Sequence, residues 1–403
     1  MNLYNQDTPR VWIVSPRLGV TSEPWLWRQA RHFQSIRPRM LYWERHNEQT
    51  FPQGVLDETR IPYESKPWDS SRRHLYRLAN AWHRNFYAAS TAEHHWLREI
   101  GRVDQPTAIL CHFGHTALRF VFVARDLKVP LIAHFHGLDL SSAMRNRWYR
   151  FSLSLYIRSF SDIVVVGEHQ RRIVLQLGAQ KDRIHVIPCG VPVAEFTPSP
   201  KQHRDVIRFI CVSRLIPQKG VNRSIEAFAA LKDHSEPTSL TIVGDGPERD
   251  NLERLAQRLG LADRVHFTGP LSPEETRREM QDSDIFLQHS LTGHEGWEEG
   301  FGVSITEASA CGLPVVVTDC GGIVDQVIDR ENGFVLRQND VKGFSQAMRR
   351  LAADRDLRRE IGESGRLRAS MYFDTTMQTR KIERLIMRQK QTTDNPQDIR
   401  VSA

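Results

Sequence analysis

Short runs of apolar, β-branched residues alternate along this chain with longer stretches in which apolar positions recur every three to four residues. The pattern predicts strands at residues 11–15, 40–44, 108–113, 131–136, 163–167 and 185–189. Helices are predicted between them at 23–35, 72–99, 116–126 and 141–160. A stretch holding Pro192, Pro198 and Pro200 interrupts the alternation, which then restarts with strands at 207–213, 240–243, 265–268, 285–289, 315–318 and 334–336. Strand and helix in strict alternation bury parallel sheets under helices, so the expected fold class is α/β, with two Rossmann-like, doubly wound domains. The expected division is a first domain at 1–190, a linker at 191–205 and a second domain at 206–370. A helix at 371–390, carrying apolar Met377, Ile382, Leu385 and Ile386, is expected to cross back to the first domain, with a polar, frayed tail at 391–403.

The length of 403 residues suits two compact units. An apolar content of 40% and a charged content of 26% rule out a mainly disordered or collagen-like chain. Apolar runs are too short to cross a bilayer, and the polar N-terminus lacks the features of a signal peptide, so a cytosolic protein is expected. Cys111, Cys189, Cys211, Cys311 and Cys320 form no C-x-x-C pair and mostly sit in apolar segments, which predicts buried thiols rather than disulfides.

A net charge of +7 favours an anionic partner: a nucleotide, a phospholipid surface or nucleic acid. No zinc-finger spacing, ribonucleoprotein aromatic motif or recognition-helix signature supports the last, and no nucleic-acid partner is expected. The segment 144–160 interleaves Arg145, Arg147, Arg150 and Arg158 with Trp148, Tyr149, Phe151, Leu153, Leu155 and Tyr156. That mixture fits an anionic membrane surface, and it equally fits a helix face buried in the core.

Candidate chemistry gathers first at Ser213-Arg214-Leu215-Ile216-Pro217-Gln218-Lys219-Gly220, between a strand and the helix that follows. A helix N-terminus beside a guanidinium and an ammonium is a setting for a diphosphate, although taken alone the two are equally ordinary loop cations. A second group is Glu299-Gly300-Phe301-Gly302-Val303-Ser304-Ile305-Thr306-Glu307. Its glycines permit close approach of the backbone and positive φ, and Glu307 is expected one turn inside a helix that Glu299 precedes, so both carboxylates can reach one ligand. Gly321-Gly322 can admit a sugar or phosphate, or simply turn the chain. Gly244-Asp245-Gly246-Pro247 reads as a turn into a helix begun by Pro247.

Taken together, Arg214 with Lys219, the Gly244–Pro247 turn, Glu299 to Glu307, the following Ala308 to Pro314 and Gly321-Gly322 resemble, in order, the retaining family-4 glycosyltransferases of GT-B fold over most of 205–370. The resemblance implies two domains facing each other across a cleft, and transfer from a nucleotide-diphosphate sugar to a glycan or lipid-linked acceptor without metal or other cofactor. It also implies retained anomeric configuration, with the leaving phosphate oxygen helping to deprotonate the acceptor. By the same resemblance Arg214 and Lys219 hold the diphosphate, Glu299 the donor sugar and Glu307 the ribose, with Gly244, Gly300, Phe301, Gly302, Val303, Gly321 and Gly322 lining the site.

In the first half, His112-Phe113-Gly114 and His134-Phe135-His136-Gly137-Leu138-Asp139 end two strands, where open α/β sheets bind ligands. The resemblance places His136 by the reacting centre, with His112 and Asp139 lining the site. His134 and His136 share a strand face, so a metal site with His112 or His115 is the competing reading, and a core role for His134 a third. Gly19, in the loop 17–23, is the acceptor-side candidate, and Ser22 there is also a sound N-cap. A nucleotide-sugar epimerase of the same fold and a non-catalytic nucleotide-sugar-binding protein remain alternatives.

Overall fold

The computed structural model describes residues 8–20, 23–67, 70–71, 73–199 and 205–394, with side chains to 389. The chain forms two compact units, one comprising residues up to Pro188 together with those from Thr376 onward, the other Cys189–Thr375.

The first unit is built on strands β1 (Arg10–Leu18), β2 (Arg37–Arg45), β3 (Glu58–Arg60), β4 (Ala108–His112), β5 (Leu131–Phe135), β6 (Asp162–Val165) and β7 (Ile184–Val186). All pair in parallel in the order β3-β2-β1-β4-β5-β6-β7. Every residue of β4 and β5 is buried, as expected of strands covered by helices on both faces. The helices are α1 (Pro24–His32), α2 (Arg73–Ala81), α3 (Thr91–Asp104), α4 (Gly114–Leu127), α5 (Arg147–Tyr156) and α6 (Glu168–Gln176).

The second unit carries β8 (Ile207–Val212), β9 (Thr238–Val243), β10 (Val265–Gly269), β11 (Ile285–Gln288), β12 (Val315–Thr318) and β13 (Gly333–Leu336), in the parallel order β10-β9-β8-β11-β12-β13. Its helices are α7 (Val221–Ala229), α8 (Arg249–Arg258), α9 (Pro273–Asp282), α10 (Val303–Ala310), α11 (Ile323–Gln326), α12 (Val341–Ala353) and α13 (Arg355–Tyr372). A last helix, α14 (Thr375–Asp394), belongs almost wholly to the first unit, where Ile382 and Ile386 are buried and Glu383 accepts hydrogen bonds from the Gln34 and Ser35 amides.

In each unit the strand order reverses once, between β1 and β4 and between β8 and β11. Such a switch point parts the two loops leaving the strands and opens a crevice at their C-terminal ends.

Several elements differ from expectation for local reasons. The helix foreseen at 72–99 is two helices, because Ser90 caps a new start by accepting from the Glu93 amide, and Arg72 lies outside the described residues. The one foreseen at 141–160 is a central α-helix flanked by short 3-10 turns, with Asn146 as its N-cap. Strand β3 escaped notice because only three residues pair. The expected linker is partly core: Val191 pairs with Asp374, and Phe196 is buried in the second unit. Residues 371–374 likewise fall in that unit. All five cysteines are buried and none is in a disulfide.

Candidate functional site

In the second unit both motifs singled out from the sequence leave the strands at the switch point. The loop after β8 carries Arg214, exposed and without an ion pair or side-chain hydrogen bond among the described residues, and Lys219, nearly buried. Gly220 sits at φ 57 as the N-cap of α7, where an added Cβ would fall on the His289 carbonyl oxygen. Only glycine suits that position. Neither α7 nor α10 has a side-chain cap; the Arg223 amide donates to the Gly220 carbonyl at 2.9 Å and the Val303 amide to the Phe301 carbonyl at 3.1 Å, which leaves the Val221, Asn222 and Ser304 amides without a backbone or side-chain partner among the described residues.

The Lys219 ammonium binds the Glu299 carboxylate directly, with side-chain exposures of 13% and 10%, and lies 5.5 Å from the centre of the Trp297 ring. Glu299 also accepts from Gln288 Nε2 at 3.1 Å, and Gln288 in turn accepts from Ser304 Oγ at 3.2 Å. A cation and a carboxylate eighty positions apart in sequence are thus joined. Glu307 is buried one turn inside α10, which begins at Val303 with Gly302 as its N-cap. Phe301 is buried against Phe373 at 5.6 Å, and Gly300 stands beside Gly322.

Some glycines do other work than expected. Neither Gly300 nor Gly302 takes positive φ; Gly321 does, at φ 57, closing on the Glu299 carbonyl, while Gly322 donates its amide to that same oxygen at 2.7 Å. These two therefore hold the Glu299 backbone. Gly244 donates to Gly269 at 2.9 Å and packs against the Ser213 carbonyl, which makes it a spacer for the Arg214 loop. Pro247 does not start a helix: α8 begins at Arg249 after a turn.

In the first unit the parallel register sets His112 of β4 beside His134 of β5, and His136 follows on the same face. His112 Nδ1 and His136 Nε2 share a hydrogen bond at 2.9 Å. Trp25 of α1 stacks on the His136 ring at 4.0 Å between centroids. Burial depresses the basicity of all three imidazoles, and the neighbouring histidines add to this for His112 and His136. His115, on α4, lies outside this group of three.

Asp139 differs from expectation. Its Oδ1 accepts from the His136 amide at 3.1 Å and the Gly137 amide at 2.9 Å, and Oδ2 from the Gly114 amide at 3.0 Å. Burial raises its pKa against those donors. The carboxylate fastens the His136 turn to the start of α4, beside Phe113, whose φ of 71 is a strained value for a bulky residue.

Gly19 follows β1 at φ 81 against the His46 carbonyl, and its own carbonyl accepts from Asn47 at 2.9 Å, while Ser22 lies outside the described residues. Arg17 is still strand, paired in register with Glu44. A cavity of about 370 Å³ opens at these strand ends, lined by Pro16, Arg17, Glu44, Glu64, Ser65 and Lys66 among others. Its far wall is held by Arg119, which donates to the Ser65 and Glu64 carbonyls at 2.7 Å each. Sequence reading missed Trp25, Gln288 and Arg119. Trp25 followed the Gly19 loop and was within reach of notice; the other two lie in apolar runs that gave no signal.

Comparison with known proteins adds the following. Residues 195–368 match the family described as Glycosyl transferases group 1, and residues 54–195 the one described as Glycosyltransferase Family 4. The chain is 31% identical over 262 residues to the putative colanic acid biosynthesis glycosyltransferase WcaL of Escherichia coli, covering 63% of each chain. It is 35% identical over 192 residues to the GDP-mannose-dependent alpha-(1-6)-phosphatidylinositol monomannoside mannosyltransferase of Mycolicibacterium smegmatis, covering 45% of this chain and 50% of that one. The matched part thus spans half to under two thirds of these relatives. The crystal structure of HepE of Anabaena in complex with UDP superposes with a TM-score of 0.76, over 94% of this chain and 100% of the other, at 19% identity. That likeness speaks for the fold alone, and the fold is GT-B.

Proposed function

We propose that this chain, whose residues 195–368 match the glycosyl transferases group 1 family and residues 54–195 Glycosyltransferase Family 4, moves a sugar from a nucleotide diphosphate onto a glycan or lipid-linked acceptor. The setting is assembly of a surface polysaccharide or glycolipid, which is the setting named for the relatives. The observation that carries this reading is the Lys219–Glu299 pair between two uncapped helix starts, with Arg214 free beside it. Arg214, Lys219 and the α7 amides stabilise the departing diphosphate, so the chemistry needs neither a metal nor a protein nucleophile. Glu299 accepts donor-sugar hydroxyls once Lys219 turns to phosphate, and Glu307 holds the ribose. Retention follows if the leaving phosphate oxygen takes the acceptor proton on the same face of the sugar. We assign His136 to the sugar side and the cavity above β1 and β2 to the acceptor.

A lipid-linked acceptor fits an exposed apolar patch on the first unit. Leu75, Leu78 and Trp82 are 67%, 71% and 91% exposed, among Arg73, Arg77 and Arg84. On α5, by contrast, Tyr149 and Leu153 are core while Phe151 and Leu155 are half exposed. The anionic-membrane contact is therefore assigned mainly to α2 and the turn after it, where apolar side chains and cations share a surface.

The test is a thermal-shift screen against UDP-, GDP- and ADP-sugars in EDTA, since a ligand of the folded state alone raises the melting temperature with its occupancy. A shift with one base, lost in Glu307→Ala, followed by acceptor-dependent consumption of that donor, supports the reading. Donor conversion without any acceptor would favour an epimerase, and no shift with any donor would sink the proposal.

A further inference from the structure

His134 has an anomaly that neither catalysis nor packing explains. It is 1% exposed, and both of its ring nitrogens lack a hydrogen-bond partner; His112, fully buried, leaves Nε2 equally unpaired. An orphaned buried polar group is destabilising, and a leucine would fill an apolar strand without that cost. The side chain is instead placed where one ring nitrogen from each of His112, His134 and His136 lies within 4.8 Å of the other two, the one such group of three among the described residues.

We propose that His112, His134 and His136 bind one divalent transition-metal ion of the zinc class, and that its occupancy takes His136 away from the sugar and reversibly blocks transfer. The blocking role rests on the assignment of His136 made above; the metal site does not.

Geometry favours the site. Two nitrogens on a tetrahedral ion with bonds of 2.0–2.1 Å stand about 3.3 Å apart. His112 Nδ1 and His136 Nε2 already stand 2.9 Å apart, and modest side-chain rotation closes the remaining distances. Trp25, stacked on His136 and 5.2 Å from His112, covers one side of the group. Imidazoles bind metal only when neutral, and burial keeps these three so at neutral pH. Asp139 accepts from the His136 and Gly137 amides and so fixes the backbone that carries His136. Three imidazoles without a thiolate or a row of oxygens select zinc, nickel or copper over magnesium and calcium, and they leave a fourth position open.

The experiment strips the full-length protein with EDTA, then titrates it with Zn²⁺ by calorimetry and with Co²⁺ by visible absorption, using Mg²⁺ as the control. One Zn²⁺ per chain, a tetrahedral Co²⁺ spectrum and no response to Mg²⁺ are expected. His134→Leu, verified by its melting curve in EDTA, is expected to weaken Zn²⁺ at least about 100-fold, since even loss of an outer-shell partner costs 10–100-fold. His112→Asn serves as a second variant if His134→Leu does not fold. Absence of Zn²⁺ binding by the unsubstituted protein, or undiminished binding by these variants, would overturn the site. In a transfer assay Zn²⁺ should inhibit and EDTA restore turnover; bound Zn²⁺ with turnover unchanged would overturn the blocking role. A protein that binds Zn²⁺ through these residues but transfers no sugar would sink the transferase reading and leave the metal site standing.

Discussion

Replacing Arg119 by methionine tests whether a buried charge, rather than loop sequence, shapes the cavity of the first unit. Arg119 and Glu93 are 2% and 1% exposed, and the guanidinium meets both carboxylate oxygens, with Nε to Oε2 at 2.9 Å and Nη2 to Oε1 at 2.8 Å. The guanidinium also lies 4.5 Å from the Trp43 ring centre, and the Trp43 indole donates to Glu93 at 3.1 Å. Arg119→Met strands a buried carboxylate, which costs about 3–5 kcal/mol. Adding Glu93→Leu removes that charge and should recover about 1–2 kcal/mol. Full recovery is prevented because the indole N–H and the Glu64 and Ser65 carbonyls also lose partners. The assay is urea unfolding of the protein and both variants, paired with limited proteolysis by a Glu-specific protease at exposed Glu64, whose carbonyl Arg119 holds. Cleavage there should accelerate in Arg119→Met. A single-variant loss below about 1 kcal/mol, or unchanged cleavage, would refute the reasoning.

Three further outcomes follow from the same geometry. Arg214→Ala combined with Lys219→Ala should lower turnover by at least about 10²–10³, the scale of losing preorganised donors to a developing anion, and near-normal turnover would sink the assignment. Burial lowers the pKa of His115 to about 3 and that of His289 to about 4. Both folded values lie below the unfolded one near 6.5, so the unfolded chain takes up these protons first. Stability is therefore full above that pH and falls by about 1.4 kcal/mol per pH unit for each group below it, down to the folded values; urea unfolding from pH 7.5 to 5 should show the decline, and a flat profile would contradict it. Trp82→Glu, at a side chain 91% exposed, should cut sedimentation with anionic vesicles at low salt about tenfold or more while leaving the melting temperature unchanged; equal sedimentation would remove α2 from the membrane.

Much of the fold was legible in the chain because it is written locally. Continuous apolar runs reveal strands buried on both faces, as in β4, β5 and β12, and a period near 3.6 reveals the longer helices. The family resemblance was carried by clusters only a few residues wide, such as 213–220 and 299–307. Where a boundary depends on one cap, as Ser90 between α2 and α3, the periodic signal ran straight through it. The proline-rich stretch was read as a linker because composition reports turns but not burial, and Phe196 is core.

What the sequence determined by itself is therefore the α/β alternation, the two sheets and the order of the motifs at 213–220 and 299–307, all encoded by residues near one another in the chain. Tertiary structure alone decided which distant groups meet. Register between β4 and β5 brought His112 to His134, packing at the second switch point joined Lys219 to Glu299, and Asp139 was drawn from the ligand list into the scaffold by three backbone amides. The reason is physical: periodicity specifies an element's buried face, whereas the partner of a buried charge or imidazole depends on which other strand that face is pressed against.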